Sequence, residues 1–167
     1  LLDAAEQAGV NCIDLYTPNA AMRSGLGKAL KGRRDKFILQ GHLCTIWQDG
    51  QYKRTRKIEE VVEGFEDLLT RLKTDHVEIG MIHYVDSMED WKQVLEGPVM
   101  AYAKELLAAG KIGHIGLSSH NPAVARAAVE SGLIEVLMFS VNPCYDLLPA
   151  SEDINKLFDG KSYEGRL

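Results

Sequence analysis

The 167-residue sequence predicts an α/β fold, a parallel (β/α)8 TIM barrel present as a partial barrel of about five βα units. Three observations predict it. Apolar runs of strand length alternate with longer runs of helical period across short connections, which makes the strands parallel and the crossovers right-handed. The stretch 76–86, HVEIGMIHYVD, is apolar on both faces, as a strand covered on both sides must be. Finally, the residues after the first strand, Asp14-Leu15-Tyr16-Thr17-Pro18, contain no G-x-G-x-x-G, the phosphate turn expected of an open doubly wound sheet. A complete barrel takes about 250 residues. The expectation is therefore one domain over residues 1–167, incomplete at both ends, cut before the barrel's first strand and after its fifth.

The chain opens in a helix, with Leu1, Leu2, Ala5 and Ala8 at helical spacing and Gly9 at its end. Residues 10–16 form the first strand, ending around Asp14, and a helix over 20–30 carries Met22, Leu26, Ala29 and Leu30 on one face. Residues 36–43, KFILQGHL, form the second strand, with Gln40 and His42 on one face by alternation. A long polar loop over 44–56 follows, then the strongest helical signal in the chain, Ile58, Val61, Val62, Phe65, Leu68, Leu69 and Leu72. Thr55 is its expected N-cap, with Glu59 and Glu60 near the positive end of the helix dipole. The third strand is 76–86. A short helix over 87–95 and a second from Pro98 to Gly110 lead to the fourth strand at 111–118. Asn121-Pro122 caps and starts a helix ending at Gly132, the fifth strand is 136–141, and 153–158 holds a turn of helix.

With 46% hydrophobic and 26% charged residues, the composition is that of a soluble globular domain, expected in the cytoplasm. Apolar runs stop well short of the roughly 18 residues of a membrane span, so no membrane partner is expected. Cys12, Cys44 and Cys144 are odd in number and widely spaced, which argues against a disulfide framework. A net charge of −5 gives no reason to expect nucleic acid. The run Lys53-Arg54-Thr55-Arg56-Lys57 reads as a solvated loop entering a helix, with contact to an anion as the other reading. Strands left without neighbours at the cut edges associate, so the expectation is that either further chain or a homo-oligomer covers them.

Asp14, His42, His83, Ser118 and Asn142 each stand at or just past the carboxyl end of a different strand, and in a barrel those ends converge on one mouth. At these residues the chain resembles the aldo-keto reductases. The resemblance rests on Asn11-Cys12-Ile13-Asp14 followed by Leu26-Gly27-Lys28-Ala29-Leu30, on Gly41-His42 after Phe37-Ile38-Leu39-Gln40, and on Met81-Ile82-His83. It is closest at Gly110-Lys111-Ile112-Gly113-His114-Ile115-Gly116-Leu117-Ser118-Ser119.

The resemblance implies hydride transfer between NADPH, or NADH, and a small-molecule carbonyl substrate, by a Tyr acid supported by Lys, Asp and His. Asp14 and His83 match that tetrad, while Asn19 stands at the Tyr position and His42 at the Lys position. An imidazole at His42 beside Asp14 replaces the family's Lys-Asp ion pair. Tyr16, two residues on from Asp14 and so on the same face, is the candidate replacement acid, with His83 next. Ser118 and Ser119 are implied as partners of the nicotinamide amide, and Asn142-Pro143 fits the motif that follows. The wording from Asn142 onward resembles the branch of the family with a cysteine-rich iron-sulfur extension, so a cluster is expected only in a segment beyond Leu167. Two other readings stand beside this one: a non-catalytic binding or assembly domain of the same fold, and a barrel hydrolase or lyase with a metal on Asp14, His42 and His83, aided by Cys44 or Cys144.

Overall fold

The structure, a computed structural model, describes residues 1–140. The expected strand end at Val141, the residues Asn142, Pro143 and Cys144, and the helical turn at 153–158 lie outside them. The elements run α1 (Leu2–Gln7), β1 (Cys12–Leu15), α2 (Ala20–Ala29), β2 (Ile38–Leu43), β3 (Thr45–Gln48), β4 (Gln51–Arg54), α3 (Ile58–Leu72), β5 (Val77–Ile82), α4 (Met88–Glu96), α5 (Pro98–Ala108), β6 (Ile112–Ser119), α6 (Pro122–Glu130) and β7 (Val136–Phe139). β1, β2, β5, β6 and β7 form one five-stranded sheet in that order, every pair parallel, with helices as the crossovers. This is the expected partial barrel, a half-barrel whose edges are β1 and β7.

The strands are shorter than their sequence patterns, because pairing stops before apolar character does: β1 begins at Cys12, β2 at Ile38, and β5 ends at Ile82. Two expectations fail between β2 and α3. The polar stretch 44–56 is a hairpin, β3 against β4, turned by Asp49 and Gly50 at φ 53° and 77°. Positive φ at both turn residues is the type I′ geometry that lets two short strands twist together. Thr55 is not the N-cap of α3; Lys57 is, and the Thr55 hydroxyl accepts from the Lys57 N–H and donates to Glu60.

The core lies between the sheet's convex face and the helices. α3 buries Val61, Phe65, Leu68, Leu69 and Leu72 there, each contributing about 1.5–3 kcal/mol relative to exposure. Gly41 makes room for this helix: a Cβ on it would stand 2.5 Å from the Leu68 Cδ2. Leu39, Gly41 and Leu43 thus face the helices, and alternation turns Gln40 and His42 to the concave face.

Gly27 sets the approach of α2 to α3. A Cβ there would lie 2.3 Å from the Arg71 carbonyl oxygen and 2.9 Å from the Leu72 backbone, atoms with no side-chain freedom to yield. Helix propensity alone would make Gly27→Ala stabilising by about 1 kcal/mol. The steric conflict is the larger effect, so Gly27→Ala is expected to destabilise by roughly 1–3 kcal/mol. A denaturation midpoint equal to or above that of the wild type would show that the two helices separate freely.

Candidate active site

The register of the sheet brings four polar side chains together at its carboxyl end. Asp14 pairs with Gln40 across β1 and β2, and His42 with Met81 across β2 and β5, which puts His83 one step past the end of β5. The His42 Nε2 lies 2.8 Å from Asp14 Oδ1, so the contact expected between these residues is present. Gln40 Nε2 donates to the same carboxylate oxygen at 2.9 Å and lies 3.3 Å from His42 Nε2. The other nitrogen of His42, Nδ1, is 2.6 Å from His83 Nδ1, and His83 Nε2 is 3.0 Å from the Tyr52 hydroxyl. A continuous hydrogen-bonded chain therefore runs from Asp14 through His42 and His83 to Tyr52.

Tyr52 was not singled out from the sequence. It comes from β4, and its ring stands edge-on to His83 with centroids 5.4 Å apart. The available signal was Asp49-Gly50 between Ile46-Trp47 and Tyr52, a two-residue hairpin turn that would have lifted the loop over the strand ends. Tyr16 lies just past β1, half exposed, with its ring edge-on to Tyr52 at 6.5 Å. Asn19 caps α2 by accepting from the Met22 N–H.

Arginines hold the hairpin in place. Arg56 binds both carboxylate oxygens of Asp90 at 2.7 and 2.9 Å and donates to the carbonyls of His83 and Tyr84, each at 2.9 Å. Arg54 adds a bond to the Tyr84 carbonyl at 2.8 Å. The run 53–57 is therefore not simply a solvated loop, and the anion its half-buried arginine meets is Asp90. Tyr84 has φ 56°, and these donors gather its carbonyl in that left-handed conformation.

The two serines of β6 diverge. Ser118 is buried, and its hydroxyl oxygen accepts from the Tyr84 N–H at 2.8 Å. Ser119 points elsewhere, donating to Asp86 and to the Asn121 carbonyl and accepting from the Asn121 N–H, so it belongs to the turn into α6. Asn142 lies outside the described residues. Cys44 sits beside Arg56 with its thiol pushed up by burial, and among the described residues no group of three or more His, Cys, Asp or Glu is arranged to hold a metal ion.

Electrostatics sort the two imidazoles. Burial pushes His83 down to about 3, and the charges of His42, Arg56 and Arg54 push the same way against Asp14. Burial raises the Asp14 carboxyl, but the hydrogen bond and charge of His42, with the Gln40 bond, leave it below its ordinary value. His83 is thus neutral and Asp14 ionised at neutral pH.

The pH dependence of stability follows from His83. Its folded value lies below the unfolded 6.5, so the unfolded chain binds more protons in between. The contribution is complete above about pH 6.5 and falls as the pH drops toward 3, by at most about 1.4 kcal/mol per pH unit. Loss from the depressed carboxylates, Asp14 among them, falls below about pH 4, so pH 6.5 to 4.5 isolates the histidine. His83→Gln is expected to flatten the fall of unfolding free energy in that window, and an unchanged slope would show that His83 is not held neutral.

Known proteins share the family and the fold. The aldo/keto reductase family model matches residues 1–159. The aldo-keto reductase YhdN of Bacillus subtilis is 36% identical over 120 residues, covering 70% of this chain and 35% of the relative. The uncharacterized oxidoreductase YqkF of the same organism is 28% identical over 145 residues, 83% of this chain and 45% of that protein. The chain thus spans less than half the length of these curated relatives. Among solved structures, a putative aldo-keto reductase from Pseudomonas aeruginosa superposes with a TM-score of 0.72 at 25% identity, over 85% of this chain and 54% of its own. The holo form of aldo-keto reductase AKR11C1 from Bacillus halodurans gives 0.68 at 25% identity, over 84% and 47%. The half-barrel, the polar cluster at its strand ends and a family match over residues 1–159 lead to one conclusion: the chain belongs to the aldo/keto reductase family.

Proposed function

We propose that the protein is an NAD(P)H-dependent oxidoreductase that interconverts small carbonyl compounds and alcohols, with an altered set of catalytic groups. The observation that carries this reading is the hydrogen-bonded chain Asp14–His42–His83 at the carboxyl end of the sheet, its two imidazoles buried, in a chain of oxidoreductase descent. A nicotinamide fits the residues beside it. The Ser118 oxygen accepts from the Tyr84 N–H, which leaves its own proton to donate, and a carboxamide oxygen is the complementary acceptor. Bound there, the reduced ring would supply a hydride to a carbonyl carbon. Asp14, Gln40, His42 and His83 form the polar wall of the site, where the carbonyl oxygen would gain charge and need a proton. That one similar structure is a holo form supports the reading.

Asp14 fixes the ring of His42 through Nε2, and His42 fixes His83 through Nδ1, so the imidazoles are oriented before any substrate arrives. Ser119 and Asn142 remain proposed contacts to the cofactor, Ser119 through its part in the turn that follows Ser118. Tyr16 remains a proposed acid on the strength of its place beyond β1, and NADPH stands ahead of NADH by family resemblance alone.

Fluorescence titration of the full-length protein with NADPH and with NADH is expected to show saturable binding of at least one. Ser118→Ala should weaken it about 3–10-fold, the net effect of one hydrogen bond. It should also lower the melting temperature, because the Tyr84 N–H loses its acceptor. Absence of saturation with either nucleotide up to millimolar concentration would refute the cofactor assignment.

A further inference from the structure

We infer that Tyr52 is the proton donor of the reaction, a catalytic tyrosine supplied by the β3–β4 hairpin and loaded through the histidine pair. This rests on the oxidoreductase reading above and names the acid that Asn19 does not provide.

The geometry fixes the direction of each bond. The ionised Asp14 can only accept, so His42 gives it the Nε2 proton across 2.8 Å. In the state with one proton on each ring, His42 Nδ1 then carries no proton and must accept across 2.6 Å from His83 Nδ1–H. His83 Nε2 is thereby the acceptor for the Tyr52 O–H at 3.0 Å. No tautomer choice remains once Asp14 is charged. One extra proton on the pair reverses the outer half of the chain. It comes to rest on His42 beside the Asp14 carboxylate, His42 Nδ1–H donates to His83 Nδ1, and His83 Nε2–H donates to the Tyr52 oxygen. The phenol proton is then directed away from His83, toward the mouth.

The balance closes in that state. When a carbonyl carbon has accepted hydride from the dihydronicotinamide, its oxygen takes the Tyr52 proton, and a new O–H forms as the phenol O–H breaks. The phenolate oxygen recovers a proton from His83 Nε2, and His83 Nδ1 takes one from His42 Nδ1. The pair ends neutral, in the arrangement first described, and solvent restores the extra proton. The reverse sequence serves alcohol oxidation.

Accessibility singles out Tyr52 within the chain. His42 is 3% exposed and His83 9%, with both nitrogens of each engaged, whereas Tyr52 is 39% exposed with its hydroxyl on His83. Only the phenol is placed to touch both the relay and a ligand. Burial raises its pKa, against the lowering charges of Arg54 and Arg56, so the donor stays loaded at neutral pH.

The test uses the full-length protein, NADPH and 4-nitrobenzaldehyde as probe. Tyr52→Phe is expected to lower kcat about 100-fold or more, with KM and the NADPH dissociation constant within threefold of wild type and a cooperative melt retained at a somewhat lower temperature, because His83 Nε2 loses its partner. Lys53→Ala on the same hairpin should leave kcat within threefold. Independently of turnover, imidazole 15N resonances in the cofactor-free protein should show His83 Nε2 losing its hydrogen-bond partner in Tyr52→Phe. A kcat of Tyr52→Phe within threefold of wild type, a loss confined to Tyr16→Phe, or unmoved His83 resonances would each overturn the assignment. Wild-type protein that binds neither nucleotide and turns over no carbonyl refutes the oxidoreductase reading itself; His83 resonances that fail to move refute the Tyr52 assignment and leave that reading standing.

Discussion

Two imidazoles buried side by side at the polar end of a parallel sheet persist only if every ring nitrogen has a partner of the right kind. An unmatched buried polar group costs about 1–3 kcal/mol, and an unpaired buried charge far more. That constraint organises this site. His42 and His83 meet nitrogen to nitrogen, so one must donate and the other accept, and the choice is made at the ends of the chain, by the Asp14 carboxylate and the Tyr52 phenol. Asp14 and Gln40 on neighbouring strands, with a shared bond, hold the inner end. The register of three parallel strands is thus also the wiring of the site, and a slip of one residue would turn Gln40 and His42 into the helix layer.

The outer end depends on ion pairing rather than on sheet register. β3 and β4 pair only with each other and stand outside the main sheet, so their placement is set by what their ends hold. Arg56 joins the end of the hairpin to Asp90 at the start of α4 and to the backbone just past β5. Burial works against its charge, and the Asp90 pair outweighs this, leaving Arg56 more firmly protonated than usual. A lysine there would lack the fork that reaches a carboxylate and two carbonyls at once. The arginine anchors the base of the hairpin, and so the height of Tyr52 over His83.

The half-barrel was legible in the sequence because its signals are local. Residues buried on both faces of β5, the helical stripe of α3 and the Asn121-Pro122 start of α6 each have a single physical reading, and each element is present. Asp14, His42 and His83 were legible for the same reason, as polar residues where apolar covering ends. Tyr52 was not. Polar composition over 44–56 outweighed the Asp49-Gly50 signal, and nothing along the chain shows that a short hairpin will fold back onto His83 just past β5, 27 residues beyond Arg56. Ser118 and Ser119 show a second limit. They are adjacent and chemically identical, and only the alternation of the strand sends one toward Tyr84 and the other into the turn before α6.

On the proposed reading, in which Asn19 stands where the resemblance implies a tyrosine, the change is better understood as an exchange of loops than as decay. Asn19 is not idle. Its side chain accepts from the Met22 N–H, a cap contributing about 1 kcal/mol to a helix of ten residues. A tyrosine could not make that bond, so a tyrosine at position 19 would remove the cap of α2. Because the carboxyl ends of the strands converge, what matters at the mouth is where a reactive atom arrives, and any loop that reaches the same point can deliver it. On that reading the β1–α2 loop gives a helix cap and the β2–α3 hairpin gives the phenol. His42 at the position where the resemblance implies a lysine would belong to the same change: an ammonium would act on a nearby phenol as a fixed charge, whereas an imidazole donates at one nitrogen while accepting at the other, and so can pass a proton along to a tyrosine that enters from the far side of His83.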